Sequence, residues 1–145
     1  MRIIVAFIAA VLVTYIIAVL GYTQLNLANL VEMGVGVSPS VRLEAALHDL
    51  VGMTGLYLPI ISIALLLGFG FTRLVLIWLS ELRTLGYIIG GFVAIFVVDQ
   101  ALGQLMGTHP LAVTRTTAGL LSQCLAGALG GYVFSLTSVK GDLQA

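Results

Sequence analysis

The chain has 145 residues, and its composition is that of a membrane protein. Hydrophobic residues make up 60% of it and charged residues 8%, with six basic and six acidic side chains and a formal net charge of zero. Soluble domains carry roughly 25% charged residues, so this chain has too few ionic side chains to cover a globular surface. The composition therefore excludes a soluble enzyme and a disordered linker. Zero net charge without a basic stripe also argues against nucleic acid as a partner, because such binding needs cations to neutralise phosphates.

Four apolar runs are long enough to cross a bilayer, which takes about 20 residues in a helix. We predict spans over residues 3–22, 58–79, 85–105 and 116–137. Because hydrocarbon offers no partner for backbone polar groups, continuous runs of this length form helices. The predicted fold is an all-α membrane protein whose single domain, residues 1–145, is a four-helix transmembrane bundle.

A short amphipathic outer helix is predicted between the first and second spans, over residues 39–51. Ser38 followed by Pro39 is typical of a helix start, and Leu43, Leu47 and Leu50 recur at helical spacing. We interpret this segment as a helix lying on the outer membrane surface. The alternative is a lid over the mouth of the bundle.

Small residues recur every four positions in three of the spans. They are Ala6, Ala10, Thr14 and Ala18 in the first span, Gly86, Gly90 and Ala94 in the third, and Ala118, Ser122, Ala126 and Gly130 in the fourth; a separate pair with the same spacing, Gly103 and Gly107, follows at the end of the third span. Helices in lipid associate where small residues let their backbones approach. The stripes serve either packing inside the bundle or self-association. We predict a homo-oligomer or assembly with other membrane subunits, surrounded by membrane lipids.

Basic residues determine the predicted orientation. The spans place Arg2, Arg73, Arg83 and Lys140 on one side, and Arg42 and Arg115 on the other. The side richer in Lys and Arg is normally cytoplasmic. We therefore predict that both termini are cytoplasmic, in the cytoplasmic membrane of a bacterium.

Asp99 lies inside the third predicted span, about six residues from its outer end. A carboxylate in a membrane helix costs roughly 2.5–3.5 kcal/mol on insertion scales, and it is tolerated when it faces the bundle interior or water. We predict an ion or substrate pathway formed by Asp99, Gln100, Gln104, Arg115 and Gln123. Three interpretations stay open. The first is a structural clasp between Asp99 and Arg115, and the second is a site that handles a proton or another cation, or forms the floor of an outward-facing pocket. The third is an aspartate at the membrane surface, which would follow if the span is shifted.

A second polar cluster is predicted on the outer face. It consists of Glu44, His48, Asp49 and His109. The spacing of the two histidines matches no metal or haem motif, so we predict no metal site and no cofactor. Tyr57, Tyr87 and Tyr132 are interpreted as anchors at the membrane interface.

The function predicted from these features is transport, as a channel, exporter or flippase with a polar site around Asp99. The alternative is a non-transporting structural or accessory subunit of a larger membrane complex. We expect no enzyme activity, because the chain contains none of the familiar catalytic motifs. A lipid-modifying enzyme using His48, Asp49 and His109 is the weakest of the three hypotheses.

Overall fold

The computed structural model describes residues 1–105, 107 and 116–139, and the regular structure in these ranges is helical. The helices are α1 (Arg2–Glu32), α2 (Pro39–Gly52), α3 (Tyr57–Leu76), α4 (Arg83–Leu105) and α5 (Thr117–Val139), with a 3₁₀ turn at Ser80–Leu82 before α4. Within the described ranges, α1, α3, α4 and α5 are long and apolar enough to cross a membrane. This confirms the predicted all-helical fold with four helices of membrane-spanning length.

The four long helices form a bundle in the order α1, α5, α4, α3 around its axis. α5 packs along both α1 and α4, α3 packs along α4, and a smaller contact between α1 and α3 closes the ring. The interior is filled across the ring as well as between neighbours, since the Phe69 ring of α3 stacks on Phe134 of α5 with centroids 4.6 Å apart. We call the end of the bundle where α3 begins, α4 ends and α5 begins the outer end, after the predicted orientation, and the opposite end the inner end.

α1 continues well beyond the first predicted span, to Glu32. No glycine or proline interrupts the sequence between Gly21 and Gly34, so the helix extends past the apolar run that marks the membrane. It ends where Gly34 adopts a φ of +85°. The Gly34 N–H donates to the Val31 carbonyl and the Val35 N–H to the Leu30 carbonyl, the paired bonds of a glycine-terminated helix end.

α2 packs against the outer half of α1. Its N-cap is Ser38, whose hydroxyl accepts a hydrogen bond from the Val41 N–H at 3.4 Å. Thr23 of α1 donates to the Asp49 carboxylate at 2.7 Å, and Arg42 donates to the Gln24 side-chain oxygen at 3.1 Å. These polar contacts hold one face of α2 on α1, whereas a second face exposes apolar side chains, namely Leu43, Leu47 and Val51.

α4 and α5 approach each other at glycines. A Cβ placed on Gly127 would overlap the Gly91 carbonyl oxygen and lie 2.5 Å from Ile95 Cγ1. A Cβ on Gly131 would likewise overlap the Tyr87 carbonyl oxygen. The two helix backbones are therefore in direct contact, and this contact aligns the interior faces of α4 and α5.

The contact between α3 and α4 also depends on small residues. A Cβ on Gly68 would lie 2.6 Å from the Ala94 Cβ, and one on Gly90 would overlap the Thr72 hydroxyl. That hydroxyl donates to the Gly68 carbonyl at 2.8 Å. An apolar groove with a volume of about 570 Å³ runs along this contact on the surface of the bundle, and Leu67, Phe71, Val75, Leu85, Ile89 and Val93 contribute to it.

An aromatic layer, formed by Phe7, Phe69, Tyr87 and Phe134, fills the inner end of the bundle. Phe69 packs edge-on against Tyr87 at a centroid distance of 5.6 Å and against Phe7 at 6.4 Å. Tyr87 packs against Phe134 at 4.9 Å. All four long helices contribute one ring, so the interior at this level is occupied by aromatic side chains.

Candidate functional site

Asp99 lies on the buried face of α4 and is 4% exposed. It continues the row of buried residues Tyr87, Gly91 and Ile95, each four positions apart, which is one face of a helix. Leu105 ends α4 six residues later, so Asp99 lies about 9 Å from the outer end of the helix. Tyr87 of the aromatic layer is about 18 Å away along α4 in the other direction.

The carboxylate of Asp99 is incompletely paired. Among the described residues, its buried Oδ2 atom has no hydrogen-bond partner. A buried oxygen in this state costs about 1–3 kcal/mol, and more when it carries charge. Thr14 Oγ1 is also buried without a partner among the described residues, but only Asp99 Oδ2 belongs to an ionisable group.

A chain of hydrogen bonds crosses the bundle beside Asp99. The Tyr57 hydroxyl, at the start of α3, donates to Gln123 Oε1 of α5 at 2.7 Å. The Gln123 Nε2 group donates to the Ala18 carbonyl of α1 at 3.0 Å. Gln123 is fully buried, and its amide joins three helices. We call Tyr57, Gln123, Asp99 and the Ala18 carbonyl the polar layer.

Tyr15 extends this network from the polar layer to the turn between α2 and α3. Its ring packs against the Tyr57 ring with centroids 6.3 Å apart. The Tyr15 hydroxyl donates to the Leu50 carbonyl at 2.5 Å and lies 3.2 Å from the Thr54 hydroxyl. The end of α2 is therefore connected through two tyrosines to the interior of the bundle.

Among the described residues, the titratable side chains near Asp99 are a tyrosine and a cysteine. Tyr57 on α3 and Cys124 on α5 are the titratable side chains that lie within electrostatic range of its carboxylate. The sequence has no charged residue between Arg2 and Glu32 of α1, nor from Thr117 to Val139 of α5. Thus no cation of α1 or α5 is available near Asp99 to balance an ionised carboxylate.

The structure brings part of the predicted pathway together. Gln123 lies in the polar layer, whereas Gln100 is half-buried and Gln104 is exposed. Gln104 is five positions from Asp99, which places it on a different face of α4. Arg115, the fifth predicted residue and the predicted partner in a clasp, lies outside the described residues.

The predicted outer-face cluster is spread over α2. Glu44 and His48 are exposed, Asp49 accepts the hydrogen bond from Thr23, and His109 lies outside the described residues. Within the described part of the chain, no three His, Cys, Asp or Glu side chains come close enough together to hold a metal ion.

Two tyrosines contradict their interpretation as interfacial anchors. Tyr57 and Tyr87 are buried in the bundle, in the polar and aromatic layers, whereas Tyr132 is 43% exposed. Tyr15 was missed entirely by the sequence analysis. A signal for it exists, because Tyr15 shares a helix face with Val11 and Ala18 and therefore follows the small-residue stripe of the first span.

No protein-family model, curated protein or solved structure matches this chain.

Proposed function

We propose that this protein is a small membrane transport protein that binds an ion at Asp99. The observation that carries the proposal is the buried Oδ2 atom of Asp99, which lacks a hydrogen-bond partner among the described residues. An ionisable residue inside a membrane bundle is expensive, and its usual role is in an ion or substrate pathway. A bound cation would supply the partner that the fold leaves out, and a bound proton would remove the charge of the carboxylate.

The distribution of polar and aromatic residues along the bundle supports a pathway from the outer end. Asp99 lies about 9 Å from the outer end of α4, next to the hydrogen-bonded Tyr57 and Gln123. The aromatic layer separates it from the inner end. Transport would require this layer to open after the ion has reached Asp99 from the other side.

The proposed orientation follows from the basic residues, which favour cytoplasmic termini. Asp99 would then be reached from outside the cell. Impermeant thiol reagents added to intact cells should label a cysteine introduced at Glu44, in α2, but not one introduced at Glu81, in the turn before α4. The reverse labelling would invert the proposed direction.

The expected result in reconstituted liposomes is ion flux that depends on Asp99. Vesicles holding a proton-, sodium- or potassium-sensitive dye are placed under a gradient of the matching ion, and the dye signal records its flux as the gradient dissipates. Asp99→Asn removes the charge with little change in shape, so we expect flux to fall to the level of empty vesicles. Glu81→Gln makes the same chemical change at an exposed position and should leave flux unchanged.

Two outcomes would contradict the proposal. One is equal flux in Asp99→Asn and the unmodified protein. The other is the absence of any flux from a folded, reconstituted protein, which would favour the accessory-subunit hypothesis.

Self-association is a further part of the proposal. Several small residues that suggested it already make contacts within the chain, such as Gly90 with Thr72 and Gly130 with Thr14. The apolar groove between α3 and α4 is the face that we propose for a second copy. Light scattering of the purified protein in mild detergent should give a protein mass of two or more times 15.3 kDa. Val93→Trp, which places a larger side chain in the groove, should reduce this mass. A monomeric mass for the unmodified protein would remove self-association from the proposal.

A further inference from the structure

The hydrogen-bond donors beside Asp99 are directed away from it. The Tyr57 hydroxyl donates to the neutral amide of Gln123, and the Gln123 amide group donates to the Ala18 carbonyl. An ionised carboxylate is a stronger acceptor than either a neutral amide or a backbone carbonyl, because hydrogen bonds to charged groups are about twice as strong. The observed arrangement is therefore the one expected beside a neutral carboxylic acid.

We propose that the ion bound at Asp99 is a proton and that its release moves the Tyr57 hydroxyl from Gln123 to Asp99. This inference rests on the proposed function, since it identifies the ion of that same site. The acid loses H⁺ to water at the outer end, and the carboxylate that forms accepts a hydrogen bond from the Tyr57 O–H. Tyr57 keeps its own proton throughout.

A metal cation fits these residues less well than a proton. Sodium, calcium and magnesium need several oxygen ligands arranged around them, of the kind found in six- to eight-fold oxygen sites. Here the Gln123 oxygen already accepts from Tyr57, and the Ala18 carbonyl already accepts from Gln123. A proton needs only the carboxylate oxygen itself, which is the atom without a partner.

Among the described residues, the groups that face Asp99 from the packed helices do not compensate its charge. α3 presents Tyr57 and α5 presents Cys124, and both are neutral at physiological pH. α1 presents no charged group at this level, because its charged residues, Arg2 and Glu32, lie at its two ends. On α2, Arg42 and Asp49 are hydrogen-bonded to Gln24 and Thr23 of α1, and Glu44 is exposed. Uptake of a proton removes the uncompensated charge.

Proton release would change the contacts between helices. When Tyr57 turns to Asp99, a bond between α3 and α5 is replaced by one between α3 and α4. The Tyr57 ring packs on Tyr15, whose hydroxyl donates to the Leu50 carbonyl. Movement of Tyr57 would therefore alter the contacts of the turn between α2 and α3. Tyr57 is thus a positioning residue that couples the charge at Asp99 to the outer end of the bundle.

The test is an infrared titration of the full-length protein in liposomes of neutral phosphatidylcholine, with the proton itself as the probe. We expect a carboxylic acid C=O band that titrates and is absent from Asp99→Asn. Tyr57→Phe removes the donor that stabilises the carboxylate, so the midpoint of this band should move to higher pH. The expected shift is about 1 to 2 pH units, the effect of one hydrogen bond to a charged group. Tyr132→Phe removes a hydroxyl from an exposed position of α5 and should leave the midpoint in place.

Each alternative outcome has a distinct meaning. A clasp with Arg115 would keep Asp99 ionised and give no acid band, which would overturn the inference. An unchanged midpoint in Tyr57→Phe would overturn the role of Tyr57. Asp99-dependent flux of sodium or potassium without an acid band would leave transport standing and remove the proton. The expected band and shift without flux in any vesicle would support the proton at Asp99 and contradict transport.

Discussion

Gly127→Ala is expected to destabilise the bundle, although alanine is normally the better residue in a helix. An alanine in place of glycine inside a helix gains about 0.5–1 kcal/mol. Here the added Cβ would overlap the Gly91 carbonyl oxygen, which belongs to the backbone of α4 and cannot rotate away. Separating α4 from α5 gives up their packing along the whole contact, so we expect a net loss of about 1–3 kcal/mol in the free energy of unfolding.

Gly70→Ala provides the matched control for this substitution. Gly70 lies inside α3, and a Cβ built there meets no atom within 4 Å. The same chemical change should therefore leave the free energy of unfolding unchanged or raise it. Reversible unfolding in mixed micelles with increasing SDS, followed by circular dichroism, measures both variants. A Gly127→Ala protein as stable as Gly70→Ala would show that the backbones of α4 and α5 are farther apart than the structure has them.

Asp99→Leu is expected to leave the fold as stable as before, or to stabilise it by about 1–3 kcal/mol, while abolishing ion flux. Leucine branches at the same carbon as aspartate, so it replaces an unpartnered polar group with an apolar group of similar shape, a change that is nearly neutral or favourable. Asp99→Asn, which adds no bulk, tests whether any loss comes from the larger leucine side chain. SDS unfolding gives the stability of both variants.

The sign of this effect separates the two interpretations of Asp99. Removing one partner of a buried ion pair costs about 3–5 kcal/mol, because the other charge is left without compensation. If Asp99 and Arg115 form a structural clasp, Asp99→Leu will therefore lower the free energy of unfolding strongly. A stable variant without flux is the result expected for a residue retained for its chemistry.

The number of long helices was predictable because membrane thickness determines the length of an apolar run. The end of α1 was not, since hydropathy marks where the hydrocarbon ends and not where the hydrogen-bonded helix ends. Residues 23–32 contain polar side chains, yet the helix continues through them until Gly34. A boundary based on backbone signals would have placed the end of α1 closer to its position in the structure.

The interior position of Asp99 was predictable from the cost of a carboxylate in lipid, whereas its neighbours were only partly so. Gln123 could be suggested because it is polar and lies at a similar depth. Gln104 was grouped with it, yet the helix face that carries Tyr87, Gly91, Ile95 and Asp99 continues to Gly103 and not to Gln104. Tyr57 was misassigned because the hydroxyl of a tyrosine at the end of a span can bond either to lipid headgroups or to a buried acceptor inside the bundle. The choice depends on the Gln123 amide from another helix, which spacing along one chain does not reveal.

The depth of Asp99 also determines how the membrane potential acts on a charge bound there. In the proposed orientation, the carboxylate lies about 9 Å from the outer end of α4, so in a hydrocarbon layer of about 30 Å roughly a third of the membrane potential would drop on its outer side. Moving one elementary charge across the whole membrane at 100 mV changes its electrical energy by about 2.3 kcal/mol. Entry from the outside to Asp99 would account for about 0.8 kcal/mol of this energy, and the step past the aromatic rings would account for the remainder. Voltage would therefore act chiefly on the inner step, and only weakly on occupancy of the site.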